Sequence, residues 1–233
     1  DFGASRIDLN PPASLDTATY SYCGFQSWAA YETAFAQPQQ APSAAGAATI
    51  DIFLSHKQCD AQDLAKALKL YYESDRFRHT CFLDRDCRDD LSDLTQIVGR
   101  SRVTVVLLTP NYMDSPWCML ELLAAVMQDP ADPPLVFVKV EGFSLGQVGF
   151  PTKLEAMAFP HAARLKAIMV LKHSRDFWDE AMGVRVADRI ASICARRASP
   201  TPAVSQADVQ REFEALRLRR NAAFPSLQPW DPM

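Results

Sequence analysis

The sequence lacks the features that mark membrane-spanning, secreted and metal-binding proteins. Its longest apolar runs are far shorter than the ~20 residues that a membrane helix needs. Its first residues have neither the basic start nor the apolar centre of a signal peptide. It contains no Cys-x-x-Cys pair, and its 4 histidines are not at metal-ligand spacing. We therefore expect a cytoplasmic protein without a metal centre.

Neither sign of charge dominates, and the cysteines form no disulfide pattern. The formal net charge is −4 and the pI is near 5.6, so no basic field favours nucleic acid or a membrane surface as a partner. The 6 cysteines are spread over 233 residues, a length that can bury a core without covalent links. Disulfide frameworks belong to short secreted chains, so we expect reduced thiols.

The start of the chain differs in composition from its middle. Residues 1–48 hold paired prolines, polar filler and a run of small residues at 43–48. Such a segment cannot bury enough apolar surface to offset the entropy of ordering it, so it is predicted to be a mostly disordered linker. From residue 49 the pattern becomes regular, and a single domain is predicted over residues 49–197.

Residues 198–233 are predicted to form a linker, an amphipathic helix and a disordered tail. A Ser205-x-x-Asp208 capping pattern opens the helix, which is predicted to run to about Arg220. Its few apolar positions make too short a seam for a coiled coil, so we expect it to lie against the domain. These positions are Val209, Phe213 and Leu216.

The segment 49–197 alternates short β runs with helical periodicity. Parallel strands need crossover helices, and the third and fourth runs are apolar at successive positions, as strands buried on two faces are. The segment is therefore predicted to be a flavodoxin-like three-layer α/β/α domain with a five-stranded parallel sheet. The predicted strands are Ile50–Leu54, Thr80–Leu83, Val103–Leu108, Leu135–Val140 and Ala167–Leu171.

A lone acid, Glu121, lies early in an otherwise apolar helix after the third strand. That strand breaks at Thr109-Pro110-Asn111, and a short loop leads into the helix. Open α/β sheets bind ligands at the carboxyl ends of their strands, so Glu121 is a candidate functional carboxylate. The helix dipole also stabilises an acid in the first turns of a helix, which gives the residue a purely structural explanation.

Two segments resemble the Toll/interleukin-1 receptor (TIR) domain family, most closely the type found in plant immune receptors. Residues 51–57 read Asp-Ile-Phe-Leu-Ser-His-Lys and are similar to the family's first strand and loop. Residues 111–122 read Asn-Tyr-Met-Asp-Ser-Pro-Trp-Cys-Met-Leu-Glu-Leu and are similar to the start of its third helix. The two segments occur in the family's order, and the resemblance covers about residues 49–197.

The resemblance implies two kinds of function. Some TIR domains pass on an immune or stress signal only by assembling with one another or with adaptors. Others, once assembled, cleave NAD at the nicotinamide–ribose bond with a glutamate at the position of Glu121. By the same resemblance Ser55, His56, Lys57 and Trp117 are candidate substrate-binding residues. NAD is then a substrate, other TIR domains are partners, and no cofactor is implied.

The chemistry of NAD cleavage suits a single carboxylate. Breaking the bond passes through an oxocarbenium-like sugar, and a carboxylate beside the ribose can hold its hydroxyls and stabilise the developing positive charge. Nicotinamide departs neutral, so little acid help is needed. The implied activity is that of an NAD+ glycohydrolase (NAD+ nucleosidase) acting in signal transduction.

One segment departs from the family, and other functions compete. Residues 85–92 contain no glycine and are dense in charge, whereas the family's loop there usually carries a glycine, so assembly contacts are expected to depend on salt. A non-enzymatic TIR adaptor is the main alternative, and a nucleoside deoxyribosyltransferase-like enzyme is a lesser one. A receiver domain is excluded, because the end of the third strand offers Thr109 where that chemistry needs an aspartate.

Overall fold

The described part of the chain alternates five strands with eight α-helices. No helix in this part has the length and apolarity needed to cross a membrane. The computed structural model describes residues 50–83, 91–140, 142–168, 170–172, 180–197 and 204–231. The strands are β1 (Ile50–His56), β2 (Cys81–Leu83), β3 (Ser101–Leu108), β4 (Leu135–Lys139) and β5 (Val170–Lys172). The helices are α1 (Gln58–Glu73), α2 (Leu91–Arg100), α3 (Pro116–Gln128), α4 (Leu145–Val148), α5 (Thr152–Ala156), α6 (Ala162–Ala167), α7 (Glu180–Arg196) and α8 (Gln206–Ala223).

The strands form one parallel sheet in the order β2-β1-β3-β4-β5. From β1 the chain moves outward to β2, then returns past β1 to β3 and continues in the other direction. The boundary between β1 and β3 is therefore a topological switch point, and open α/β sheets bind ligands beyond the carboxyl ends of the strands at such a point. The predicted flavodoxin-like fold class is confirmed.

The sheet separates two apolar cores, because successive side chains of a strand point to opposite faces. One core, here called the α1-side core, combines sheet residues such as Ile52, Leu54 and Leu107 with the buried faces of α1 and α7. The other, the α3-side core, combines Phe53 and Val106 with α2, α3 and α8. Helices thus cover both faces, as continuous apolar strands require.

Element boundaries differ from the predicted ones where elements are short. The fifth strand covers Val170–Lys172 rather than Ala167–Leu171, because Ala167 ends helix α6. β5 pairs only with β4, so its position depends on that neighbour more than on its own pattern. The connection after β4 contains the short helix α4. The predicted linker 1–48 and most of the charged segment 85–92 lie outside the described residues.

The C-terminal region is more ordered than the sequence predicts. Helix α8 packs against α2 and α3, and its predicted apolar positions are buried, as expected. Ser205 is its N-cap residue but makes no side-chain capping hydrogen bond. The prediction of a disordered tail is wrong for residues 224–231. Trp230 there is only 3% exposed and belongs to the α3-side core.

Candidate functional site

Glu121 lies in the second turn of α3, a helix that is buried on nearly all sides. Ser115 caps this helix by accepting the Cys118 backbone N–H at 3.4 Å. Pro116 occupies its first position, where the missing N–H costs nothing. The Glu121 side chain is 0% exposed. A carboxyl group at such depth needs hydrogen-bond partners, because burying it without them is costly.

The first strand provides one of those partners. The Ser55 hydroxyl donates a hydrogen bond to Oε2 of Glu121, so the carboxyl end of β1 contacts α3 directly. The Tyr112 hydroxyl lies 2.7 Å from Ser55 Oγ and 3.2 Å from the Cys118 carbonyl oxygen. Ser55 has one hydroxyl proton and uses it in the hydrogen bond to the Glu121 carboxyl group. Tyr112 therefore donates to Ser55 Oγ, to the carbonyl of Cys118, or to both.

The position of this cluster agrees with the topology of the sheet. Ser55 is near the carboxyl end of β1, and Tyr112 belongs to a single 3₁₀ turn, Tyr112–Asp114, shortly after β3. The hydroxyls and the carboxyl group therefore meet beside the switch point, on the α3 side of the sheet. Such an arrangement can hold and exchange hydrogen bonds with a sugar that replaces one of the hydroxyls.

His56 does not face this cluster. It follows Ser55 by one residue and pairs with Leu107, so its ring points toward the α1-side core. The ring is 2% exposed, with Nδ1 placed 3.4 Å from the Leu54 carbonyl oxygen. Burial lowers the pKa of His56, and the Leu54 hydrogen bond offsets this only in part. The structure therefore separates His56 from Ser55, although the sequence groups them together.

Lys57 and Trp117 both lie closer to solvent. Lys57 is half-buried at the carboxyl end of β1, where it is the N-cap residue of α1. Trp117 is 45% exposed at the second position of α3. Since it precedes Glu121 by four residues, the two side chains share one face of the helix, with Trp117 one turn nearer the surface. An exposed indole at that place can form the rim of an opening above Glu121.

Sequence reasoning missed an acid at the same end of the sheet. Asp60, in the first turn of α1, accepts hydrogen bonds from Thr109 Oγ1 at 2.9 Å and Asn111 Nδ2 at 3.2 Å. Burial tends to raise the pKa of Asp60, but its hydrogen bonds outweigh this and lower the pKa overall. The contacts tie α1 to the end of β3. The Thr109-Pro110-Asn111 break was visible in the sequence, but its partner 49 positions away was not.

The described part of the chain shows free thiols and no metal cluster. Cys59 is exposed, whereas Cys81, Cys118 and Cys194 are buried, and none of these four forms a disulfide. Within the described ranges, no group of three or more His, Cys, Asp or Glu side chains is placed to hold a metal ion. The described side chains near the switch point supply hydroxyl groups, carboxyl groups and a lysine.

Comparison with known proteins identifies the family. The family model described as "TIR domain" matches residues 52–169, about half of the chain. The chain therefore belongs to the TIR domain family, as the two sequence segments predicted. The matched range contains Ser55, Tyr112, Trp117 and Glu121, and it ends before α7 and α8.

A curated relative and a solved structure show further similarity. The human Toll/interleukin-1 receptor domain-containing adapter protein is 28% identical over 116 residues, which are 47% of this chain and 50% of that protein. The match thus spans about half the length of this relative. The TIR domains in a structure of the activated Roq1 resistosome recognising the effector XopQ align over 74% of this chain and 84% of theirs. The sequence identity of this alignment is 18%, and its TM-score is 0.36.

Proposed function

We propose that this TIR domain cleaves NAD at the nicotinamide–ribose bond and that Glu121 is its catalytic residue. The main support is the position of the carboxyl group, which lies beside the switch point between β1 and β3 and contacts the Ser55 hydroxyl. Ligands of open α/β sheets bind at this place. The family includes members that carry out this reaction with a glutamate at the matching position.

In the proposed reaction the carboxylate acts on the sugar rather than on the leaving group. The ribose hydroxyls donate to Glu121 in place of the Ser55 hydroxyl. The bond between C1′ and the nicotinamide nitrogen breaks, and its electron pair leaves with neutral nicotinamide. The negative charge of Glu121 stabilises the positive charge that develops on the ribose. Water then bonds to C1′ and gives up a proton, which yields ADP-ribose.

Complete burial of Glu121 gives this proposal a conformational requirement. At 0% exposure the carboxyl group cannot touch a ribose until the surrounding residues move. The Tyr112–Asp114 turn contacts Ser55, the hydrogen-bond partner of Glu121, so displacement of this turn is one route to opening. We expect self-assembly of TIR domains to favour the open state, which would make activity depend on protein concentration.

Residues at the rim supply the proposed substrate contacts. The proposal assigns Lys57, at the start of α1, to a phosphate of the dinucleotide and the exposed Trp117 to stacking on a base. Ser55 would exchange its bond to Glu121 for one to the ribose. His56 faces the α1-side core, so the proposal assigns it no direct contact with NAD.

An NAD turnover assay tests the proposal. The purified chain is incubated with NAD at increasing protein concentration, and products are identified by chromatography. We expect nicotinamide and ADP-ribose, or a cyclic form, from the wild type and none from Glu121→Gln. Glu155→Gln, at an exposed glutamate, is the matched control and should retain activity. If the wild type leaves NAD intact even when forced to assemble, the proposed activity is wrong.

Parallel incubation with deoxyribonucleosides tests the alternative of a nucleoside deoxyribosyltransferase-like enzyme.

A non-enzymatic adaptor is the second candidate. It is favoured by the name of the human relative, an adapter protein, and by the full burial of Glu121 in a structural contact with Ser55. An adaptor should bind itself or another TIR domain with an affinity that Glu121→Gln leaves unchanged. Light scattering and pull-down measurements on both variants would show this. A chain that stays monomeric with every TIR partner tested would contradict the adaptor role.

A further inference from the structure

A C-terminal segment outside the family match is built into the core beside the candidate site. Residues 204–231, here called the strap, comprise α8 and the chain that follows it. Helix α8 packs on α2 and α3, and α3 carries Glu121. The matched family range ends at residue 169, so the strap is an addition to the part of the chain that identifies the family.

Trp230 anchors the end of the strap. Its ring stacks on Phe213 with the centroids 6.0 Å apart, and the Arg220 guanidinium lies 5.1 Å from the ring centroid. Its backbone N–H donates to Asn221 Oδ1 at 3.0 Å, and its carbonyl oxygen accepts bonds from Asn221 and Arg217. Contacts within the strap therefore fix both the ring and the backbone of Trp230 in one orientation.

That orientation aims the indole N–H at the turn next to Glu121. Nε1 of Trp230 donates to the Asp114 carbonyl oxygen at 2.9 Å, a contact between residues 116 positions apart. The Asp114 carboxylate is held at the same time by Lys153, whose Nζ lies 2.8 Å from each oxygen. Asp114 is thus fixed through its backbone by the strap and through its side chain by α5.

Asp114 is directly linked to the candidate site. It ends the Tyr112–Asp114 turn, and the next residue, Ser115, caps α3. The hydroxyl of Tyr112, at the start of the same turn, touches Ser55, which donates to Glu121. Within this turn, the Trp230 contact at Asp114 lies two positions from Tyr112, whose hydroxyl contacts Ser55.

We propose that the strap restrains this turn through the Trp230–Asp114 hydrogen bond and so keeps the Glu121 site closed. The consequence for catalysis rests on the proposed NAD cleavage, but the restraint itself does not. Release of Trp230 frees the turn, and displacement of the turn gives a ligand a route to Glu121. The strap is then an autoinhibitory element of this chain.

The test must separate local opening from general loss of stability. Trp230→Phe keeps a ring against Phe213 and Arg220 but removes the indole N–H. Arg219→Met is the matched control, because Arg219 also donates a hydrogen bond from the strap to a backbone carbonyl, that of Met157, at 3.2 Å.

Three thiols that are buried in the described part of the chain report on access. Cys118 lies next to the turn, whereas Cys81 and Cys194 lie in the α1-side core.

The rate at which each thiol reacts with iodoacetamide is followed by peptide mass spectrometry on the native chain. For Trp230→Phe we expect Cys118 to react about fivefold faster, the size of effect that one lost hydrogen bond allows. Cys81 and Cys194 should keep their rates, and Arg219→Met should leave all three unchanged. An unchanged Cys118 rate in Trp230→Phe overturns the proposal. An equal increase at all three thiols also overturns it, since that indicates global unfolding.

NAD turnover by the same variants separates this proposal from the proposed function. If the wild type cleaves NAD, Trp230→Phe should cleave it faster at equal protein concentration. A faster Cys118 reaction without faster cleavage would overturn the claim that the strap closes the site. If neither the wild type nor Trp230→Phe cleaves NAD, the proposed function is wrong. The thiol rates then decide alone whether the strap restrains the turn.

Discussion

Ser55 and Glu121 are 66 positions apart in the sequence and share a hydrogen bond inside the α3-side core. The bond joins the carboxyl end of β1 to the second turn of α3. It satisfies one oxygen of a fully buried carboxyl group, and it places that group beside the switch point. A ligand that engages Glu121 must compete with the Ser55 hydroxyl, so the same contact affects both stability and access.

Replacing Ser55 by alanine should lower the free energy of unfolding by about 1–3 kcal/mol, because a buried carboxyl group loses a partner. Chemical denaturation measures the change. Ser101→Ala is the matched control: this buried serine donates to the backbone carbonyl of Ile97 at 2.8 Å, so its loss should cost about 1 kcal/mol. Equal losses for the two variants, or a smaller loss for Ser55→Ala, would contradict a special role for the contact with Glu121.

The parallel sheet could be predicted from the sequence because its signals are local. β3 and β4 are apolar at successive positions, a pattern typical of parallel strands buried on two faces. Once two strands are predicted to be parallel neighbours, their carboxyl ends must meet at one edge. The resemblance to the TIR family, rather than this pattern, assigned the Ser55 region and Glu121 to one site. The three-residue β5 was placed imprecisely, because so short a strand carries almost no pattern.

Other parts of the site depend on contacts that no local pattern reveals. Tyr112 reaches Ser55 only because the turn after β3 folds back over β1. Trp230 lies in a proline-rich stretch, which predicts disorder, but Phe213 and Arg220 provide a place for its ring. The family resemblance grouped His56 with Ser55, although strand geometry sends successive side chains to opposite faces.

The buried ring of His56 should make stability depend on pH. Its folded-state pKa is lowered from 6.5 by burial, so below that value the unfolded chain takes up a proton more readily than the folded one. The contribution to stability is complete above pH 6.5 and declines as the pH falls toward the lowered folded-state pKa. Thermal unfolding between about pH 7 and pH 5 should show a smaller decrease for His56→Gln than for the wild type.

His161 provides the control for this prediction. It is exposed, with a backbone φ of 57°, a conformation that asparagine tolerates well. His161→Asn should therefore fold normally and keep the pH dependence of the wild type. If His56→Gln and the wild type lose stability in parallel as the solution is acidified, the dependence arises elsewhere in the chain.

The exposed indole of Trp117 should contribute to NAD binding and little to folding. Trp117→Ala should weaken NAD binding about tenfold, since stacking of a base on an aromatic ring has an effect of this size. Its free energy of unfolding should change by less than about 0.5 kcal/mol. Calorimetry in the Glu121→Gln background measures binding without turnover. Leu218→Ala, at another exposed apolar side chain on α8, should bind NAD as before. Equal NAD affinity with and without the Trp117→Ala substitution would contradict the proposed contact of Trp117 with NAD.

The ion pair between Lys153 and Asp114 should act as a second, salt-dependent restraint on the Tyr112–Asp114 turn. The pair is partly exposed with 2.8 Å between Nζ and Oδ2, so its contribution is about 0.5–1 kcal/mol and weakens as salt is added. Lys153→Met should raise the Cys118 labelling rate about threefold at low salt, a factor that this energy allows. In the wild type, added salt should raise the rate toward that of the variant, whereas the variant should respond little.

Lys166→Met is the control for the lysine substitution itself. Lys166 pairs with Glu155 at 3.0 Å on a more exposed surface and has no contact with the turn in the described structure. Its loss should leave the Cys118 rate and its salt dependence as in the wild type. If both lysine variants change the rate equally, the effect is one of overall charge. If neither does, the turn is held by the Trp230 contact without help from α5.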